Sequence, residues 1–400
     1  MTDSALMRGF PPAPDHQVTL ANWRQAPFNQ WAFQHVREII PSADIANDPD
    51  DVWALPAEPF DWSGLRLAAG GGQTDLAGLL AATDTDALVV LRRGRVVAEH
   101  YANGMTAHTP HILMSVSKSV LGLIACQLID AGVLDPAQSV SELVPEIAAT
   151  AYRGATLRHL LDMRAGVLFD ENYLATSGPI IEYRKAQNWN PLGPGETASD
   201  LRSFYAQLED ADGPHDGRFH YVSPNTDLLG WAIERATGTR YADLVSTALW
   251  QPLGASHSAS ITVDRLGAPR SAGGFCATAR DLARLGQLLV QDGRRGERQL
   301  VSAAAIRDLE TGGDEAAWDR GDFLPYFPDM KIRYRNQWYA MQGDEPMLFC
   351  VGVHGQLLFV DRARQIVIAK YSSQALPMDA PKLLLTLQAV VQMRRYLARG

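Results

Sequence analysis

Ser115 and Lys118 stand three residues apart in S-V-S-K, at the start of an apolar stretch in which Val120, Ile124 and Leu128 share one helical face and Gly132 ends the run. Side chains three apart on a helix lie on one side, so the hydroxyl and the amine can meet. A serine hydroxyl becomes a useful nucleophile only when a neighbouring base takes its proton. Lysine can serve once burial or nearby positive charge pulls it down from about 10.4, whereas arginine keeps its charge. A helix N-terminus supplies positive field of that kind and favours an oxyanion formed beside it.

Two further stretches could complete such chemistry. Tyr221 opens Y-V-S-P-N-T-D, seven residues ahead of Leu228-Leu229-Gly230, and a phenol held in a cleft can pass a proton to a leaving group. The stretch V-G-V-H-G-Q (351–356) sets small residues between apolar strand segments, where a strand edge can come close to a ligand and offer backbone N–H groups.

Rival chemistries lack their residues. No G-x-S-x-G and no H-E-x-x-H occurs. His108 with His111, and His215 with His220, are the close histidine pairs, and no metal or other cofactor is expected from them. Cys126, Cys276 and Cys350 are odd in number and set among apolar neighbours, as reduced core residues are. The net charge of -9 argues against an unaided grip on nucleic acid. Met1 to Gln17 reads as no export signal and no membrane-length apolar run follows, so a soluble cytoplasmic protein with no membrane partner is expected.

The elements that must position these residues can be read in outline. Residues 1–80 are rich in Pro, Ala and Trp and read as an irregular N-terminal wrap, with Gly70-Gly71-Gly72 as a flexible joint. Ala87 to Tyr101 reads as a hairpin around Arg92-Arg93-Gly94-Arg95. Helices are expected after Thr156, over 228–236 and 241–249, from Thr278 to Val290, and over 382–397. Segments 347–353, 356–360 and 365–371 read as consecutive strands. The organisation expected is a composite α/β domain from 1–131 and 262–400, carrying a mainly helical inserted domain over 132–261, with the site at their seam.

S-x-x-K, a tyrosine before L-L-G and a glycine-rich strand near the C-terminus, in that order, resemble the β-lactamase-related, penicillin-recognising serine hydrolases. More narrowly, L-M-S-V-S-K-S (113–119), Y-V-S-P-N-T-D (221–227), T-A-R-D-L-A-R (278–284) and V-H-G-Q (353–356) look like the 6-aminohexanoate-dimer hydrolases and their carboxylesterase relatives. N-Q-W-A-F-Q-H (29–35) and I-T-V-D (261–264) extend the likeness over most of the chain.

The resemblance implies a β-lactamase/DD-peptidase-like fold, an antiparallel sheet flanked by helices with an inserted helical domain. It also implies an acyl-enzyme hydrolase of small carboxylic esters and linear amides. It makes Ser115 the acylated residue, Lys118 its base and Tyr221 the proton donor to the leaving group, with the N–H groups of Ser115 and Val353 as oxyanion hole. It places Tyr173, Arg184, Trp189, Ser223, Asn225, Ala272, His354 and Gly355 around the substrate. The partner expected is a small ester or amide, and a homodimer is allowed for.

The departures from the pattern are specific. Ser223 stands where Asn is usual two residues after the tyrosine, with Asn225 four after it, and His354-Gly355-Gln356 replaces Lys-Thr-Gly, which disfavours antibiotic hydrolysis. Arg184 stands about where the amide hydrolases place a carboxylate, and Ala272 where a polar contact is found. The alternatives are a β-lactamase, a D-amino-acid peptidase or esterase, or a non-catalytic penicillin-binding sensor domain.

Overall fold

The structure is a computed structural model that describes residues 5–69 and 71–399. Its largest sheet joins the two ends of the chain. Strands β1 (Thr85–Arg92), β2 (Arg95–Tyr101), β3 (Ile332–Arg335), β4 (Trp338–Met341), β5 (Met347–Gly352), β6 (Gln356–Asp361) and β7 (Ile366–Ser372) lie in the order β3-β4-β5-β6-β7-β1-β2, every pair antiparallel. Val89 faces Ala369 and Val90 faces Ile368 in the β1–β7 register. All of β1 is buried, as a strand covered on both faces must be. Its side chains alternate: Ala87, Val89 and Leu91 pack with the helices of one side, while Leu88 and Val90 pack with Leu383, Val390 and the N-terminal Leu65 and Leu67 on the other.

Helix α1 (Val116–Asp130), α2 (Ser223–Thr237), α3 (Ala279–Val290) and α4 (Ala380–Leu397) build the layers around that sheet. Thr278 caps α3 by accepting from the Asp281 N–H, as its sequence predicts. Residues 132–258 contribute α2 with several shorter helices and loops, and their apolar side chains, among them Leu160, Val222, Leu229 and Trp250, share one cluster with Val89 and Val120.

Three expectations change. Gly70 lies outside the described residues, while Gly71 (φ +85) and Gly72 belong to a short hairpin pairing Leu67–Ala69 with Gly72–Thr74 rather than to a free joint. Helix α2 starts at Ser223, earlier than the apolar pattern suggests, because Pro224 sits in the first turn, where its missing N–H has no bond to make. Strands β3 and β4 lie in a segment without an expected element. They form a two-residue hairpin in which Arg335 faces Trp338, and Asn336 (φ 49) and Gln337 (φ 66) are both left-handed.

A second sheet leads the chain into its chemistry. Ser42–Ile45, Ala259–Thr262, Phe275–Ala277 and His111–Ile112 pair in that spatial order, all antiparallel. Trp23, Phe33 and Val36 of the N-terminal segment pack on Ile112, Met114 and Trp189, which makes that segment one wall of the central cleft.

Helix α1 is held close to the β3–β4 turn at Gly122, where a Cβ would come within 2.1 Å of the Asn336 carbonyl oxygen. A backbone atom cannot swing aside as a side chain does, so Gly122→Ala is expected to destabilise the fold by about 3 kcal/mol, near the upper end for overpacking. Denaturant unfolding checks this, and an unchanged midpoint would show that α1 can shift freely.

Candidate active site

The path of the chain explains where Ser115 sits. Leu113 donates its N–H to the Phe275 carbonyl (2.7 Å), fixing the end of the short strand. Met114, almost fully buried, then takes a left-handed φ of 47, an uncommon conformation for a non-glycine residue. Ser115 follows as the N-cap of α1, yet its hydroxyl makes no capping bond, which leaves the oxygen available. Ser117, the other hydroxyl of the motif, is buried and accepts the Phe275 N–H at 3.1 Å.

Lys118 is 1% exposed, and its ammonium donates to Ser115 Oγ (3.0 Å), Ser223 Oγ (3.0 Å) and the Ala272 carbonyl (2.8 Å). It also lies 4.8 Å from the centre of the Tyr221 ring. Burial lowers its pKa from 10.5 to about 7; Glu171 and Asp227 oppose that shift and Arg270 adds to it. Tyr221, buried and stacked on Phe323 at 4.5 Å, has its phenol beside the Ser115 hydroxyl. Burial pushes this phenol well above the ordinary tyrosine range, so it stays protonated at neutral pH.

Val353 follows directly on β5, and Gly352 is what lets it approach. A Cβ on Gly352 would lie 2.6 Å from the Leu113 carbonyl oxygen and 3.1 Å from Met114 Cβ. Ser115 and Val353 both line a cleft of about 720 Å³, together with Tyr173, Arg184, Trp189, Ser223, Ala272 and His354. A second cavity of about 570 Å³ adjoins it behind Glu171 and Tyr173 and reaches Tyr221, Phe323 and Tyr326.

Several of the expected substrate-side residues have other roles. Asn225 is fully buried and does not line the cleft; its Oδ1 accepts the Tyr152 hydroxyl (2.8 Å), because helix α2 turns it inward. Gly355 is also absent from the cleft wall: it holds a φ of +88 against Gln374 and Ser372, a turn position. His354 does line the cleft, but its Nδ1 is bonded to the Gln374 carbonyl (2.7 Å) and burial lowers its pKa to about 4, so it is a neutral wall. Ala272 contributes its backbone: its N–H donates to Asp227 Oδ1 (2.8 Å) while its carbonyl takes Lys118.

Three charged residues of the site went unmarked in the sequence reading. Glu171 accepts Ser223 N–H (2.9 Å), Ser223 Oγ–H and the Tyr173 hydroxyl (3.2 Å). Asp227 and Arg270 form a buried ion pair that also takes Tyr183. Glu171 stands two residues before Tyr173 in D-E-N-Y, and that nearness is the signal the sequence offers. The close histidines of the sequence diverge: His111 faces Asp86 and stacks on Tyr371, while His220 bonds Asp322. Among the described residues, no three His, Cys, Asp or Glu side chains converge as metal ligands would.

Glu171 raises the lysine's pKa, so neutralising it should do the reverse. Glu171→Gln is expected to move the acid limb of the kcat/KM profile below its wild-type position near pH 7. A limb that stays in place would mean that some other group titrates there.

An antiparallel sheet flanked by helices, with a serine and lysine meeting where a buried helix begins, defines the β-lactamase/DD-peptidase-like class of proteins. The chain belongs to the beta-lactamase family, whose model matches residues 75–392. It is 37% identical to the 6-aminohexanoate-dimer hydrolase of Paenarthrobacter ureafaciens over 366 residues, covering 91% of this chain and 90% of that one. Among solved structures it is similar to a candidate 6-aminohexanoate-dimer hydrolase of Bacillus anthracis, with a TM-score of 0.88 and 26% identity over 98% of this chain and 99% of that one. A D-stereospecific amidohydrolase from Streptomyces sp. shares the fold, with a TM-score of 0.58 and 18% identity over 78% of this chain and 98% of that one. The chain is thus a hydrolase of the beta-lactamase family. No helix among the described residues is long and apolar enough to cross a membrane.

Proposed function

We propose that this chain hydrolyses small carboxylic esters and linear amides through an acyl-enzyme on Ser115. The observation that carries the reading is Lys118: a desolvated amine 3.0 Å from the serine oxygen, with its pKa lowered to about 7. At neutral pH a substantial fraction is unprotonated and can take the serine proton. Tyr221, held protonated, serves in this scheme as the donor and Lys118 as the first base.

The steps follow from these positions. Lys118 removes the Ser115 proton as Oγ attacks the substrate carbonyl. The oxyanion gathers beside the N–H groups of Ser115 and Val353, where the start of α1 adds positive field. Tyr221 gives its proton to the leaving oxygen or nitrogen, and the proton that the Lys118 amine took from Ser115 then passes to the Tyr221 phenolate beside it, restoring both groups. A water molecule then repeats the sequence against the acyl-enzyme, releasing the acid.

Ester and amide differ in how much they need that proton. An alkoxide leaves more readily than an amide anion, so amide cleavage leans harder on the donor. Short esters are expected to be cleaved readily and 6-aminohexanoate dimer slowly, since Arg184 brings positive charge into the cleft. Tyr221→Phe should depress amide turnover by about tenfold more than ester turnover. Parallel kcat/KM measurements decide it: equal losses would place Tyr221 in serine activation alone, and a faster wild-type amide would overturn the ranking.

A further inference from the structure

Arg24 and Arg184 line the same cleft, one from the N-terminal segment and one from the helix Pro179–Ala186. Neither has a carboxylate within ion-pairing distance among the described residues, unlike Arg270, which is paired with Asp227. The Arg24 guanidinium reaches the neutral Asn190 side chain and lies 5.5 Å from the centre of the Trp23 ring, while its Nε is buried without a partner. Arg184, buried, donates to the Tyr173 carbonyl at 3.0 Å.

The carboxylate already in the cleft is committed elsewhere. Glu171 is taken up by Ser223 and Tyr173, on the catalytic side. Arg24 is lowered to about 9, first by burial, then by Arg184 and Arg270, while burial also lowers Arg184 and Glu171 offsets only part of that. Two guanidiniums without a direct ion pair at a cavity wall present fixed donor forks that match a carboxylate. An anion there would counter the like charges and satisfy the buried Nε.

We propose that Arg24 and Arg184 form a carboxylate subsite, and that the preferred substrates are esters or amides bearing a free carboxylate on the acyl side of the scissile bond, where 6-aminohexanoate dimer carries an ammonium. Half-esters and half-amides of dicarboxylic acids are the simplest members of that class. The inference rests on the hydrolase reading only in assigning the anion to a substrate. The subsite itself can be tested without turnover.

The Ser115→Ala protein is titrated calorimetrically with monomethyl succinate, adipate and suberate, and with the matching dimethyl esters. At least one monoester is expected to bind about tenfold or more tightly than its dimethyl counterpart, the scale of one or two charge-assisted hydrogen bonds. Arg24→Gln and Arg184→Gln should each shrink that ratio by about fivefold or more, and Arg184→Lys should restore part of it. Ratios near one for every length, tighter binding of methyl 6-aminohexanoate, or a preference untouched by both Gln variants would overturn the subsite. Wild-type turnover of the same esters is read separately. A preference without turnover would leave the subsite standing and sink the hydrolase reading, whereas turnover without preference would do the opposite.

Discussion

Ser115→Ala is expected to lower turnover of every ester and amide substrate by about a thousandfold or more while leaving the unfolding midpoint close to wild type. The first half follows from the bond that has to form: with the oxygen gone, no acyl-enzyme can arise, and what remains is rate enhancement from binding and the oxyanion site. The second half follows from position. Ser115 is partly exposed at the cleft and its hydroxyl caps no helix, so removing it deletes the contacts with Lys118 and Tyr221 but opens no core cavity. Steady-state kinetics with purified, folded protein check it. Near-normal rates would move the nucleophile elsewhere, and Ser117 would be a poor substitute, because its oxygen is buried against the Phe275 N–H.

Lys118→Arg should be about as damaging as Lys118→Ala, again by about a thousandfold. Guanidinium keeps the charge and can still donate hydrogen bonds, but it does not give up its proton near neutral pH. The site is also tight: the lysine amine has three partners within 3.0 Å, and the larger planar group would have to displace Ser223 or the Ala272 carbonyl. The wild-type profile has a matching signature. Because the unprotonated amine is the active form and its pKa is about 7, kcat/KM should rise through neutral pH and fall about tenfold per unit below it. A Lys118→Arg protein with near-normal rates, or a wild-type profile flat from pH 5 to 8, would reduce the lysine to an electrostatic role.

Much of this arrangement could be read from the sequence where local chemistry and local structure coincide. S-V-S-K begins a helix, so the spacing of Ser115 and Lys118 became a contact directly. The capped start of α3 and the three late strands were legible for the same reason, since caps and alternation are local signals. What escaped was long-range. Glu171 reaches Lys118 only through Ser223, 52 positions away in the chain, and Arg24 joins Arg184 only because the N-terminal segment folds back over the cleft. The β3–β4 hairpin escaped for a local reason, its turn being built on Asn336-Gln337 rather than on a glycine pair. The resemblance places Asn225 around the substrate, but helix α2 begins at Ser223, ahead of the apolar pattern over 228–236, and that early start sends the asparagine into the core.

The central claim, that Ser115 carries the acyl group, is tested most directly by trapping. The wild-type protein is treated with an alkyl fluorophosphonate, digested with trypsin and mapped by tandem mass spectrometry. A single adduct is expected, on Ser115 in the peptide that ends at Lys118, with loss of activity in proportion to labelling and no adduct in the Ser115→Ala protein. An adduct on any other residue that tracks the loss of activity, or full activity retained with Ser115 fully labelled, would contradict the account.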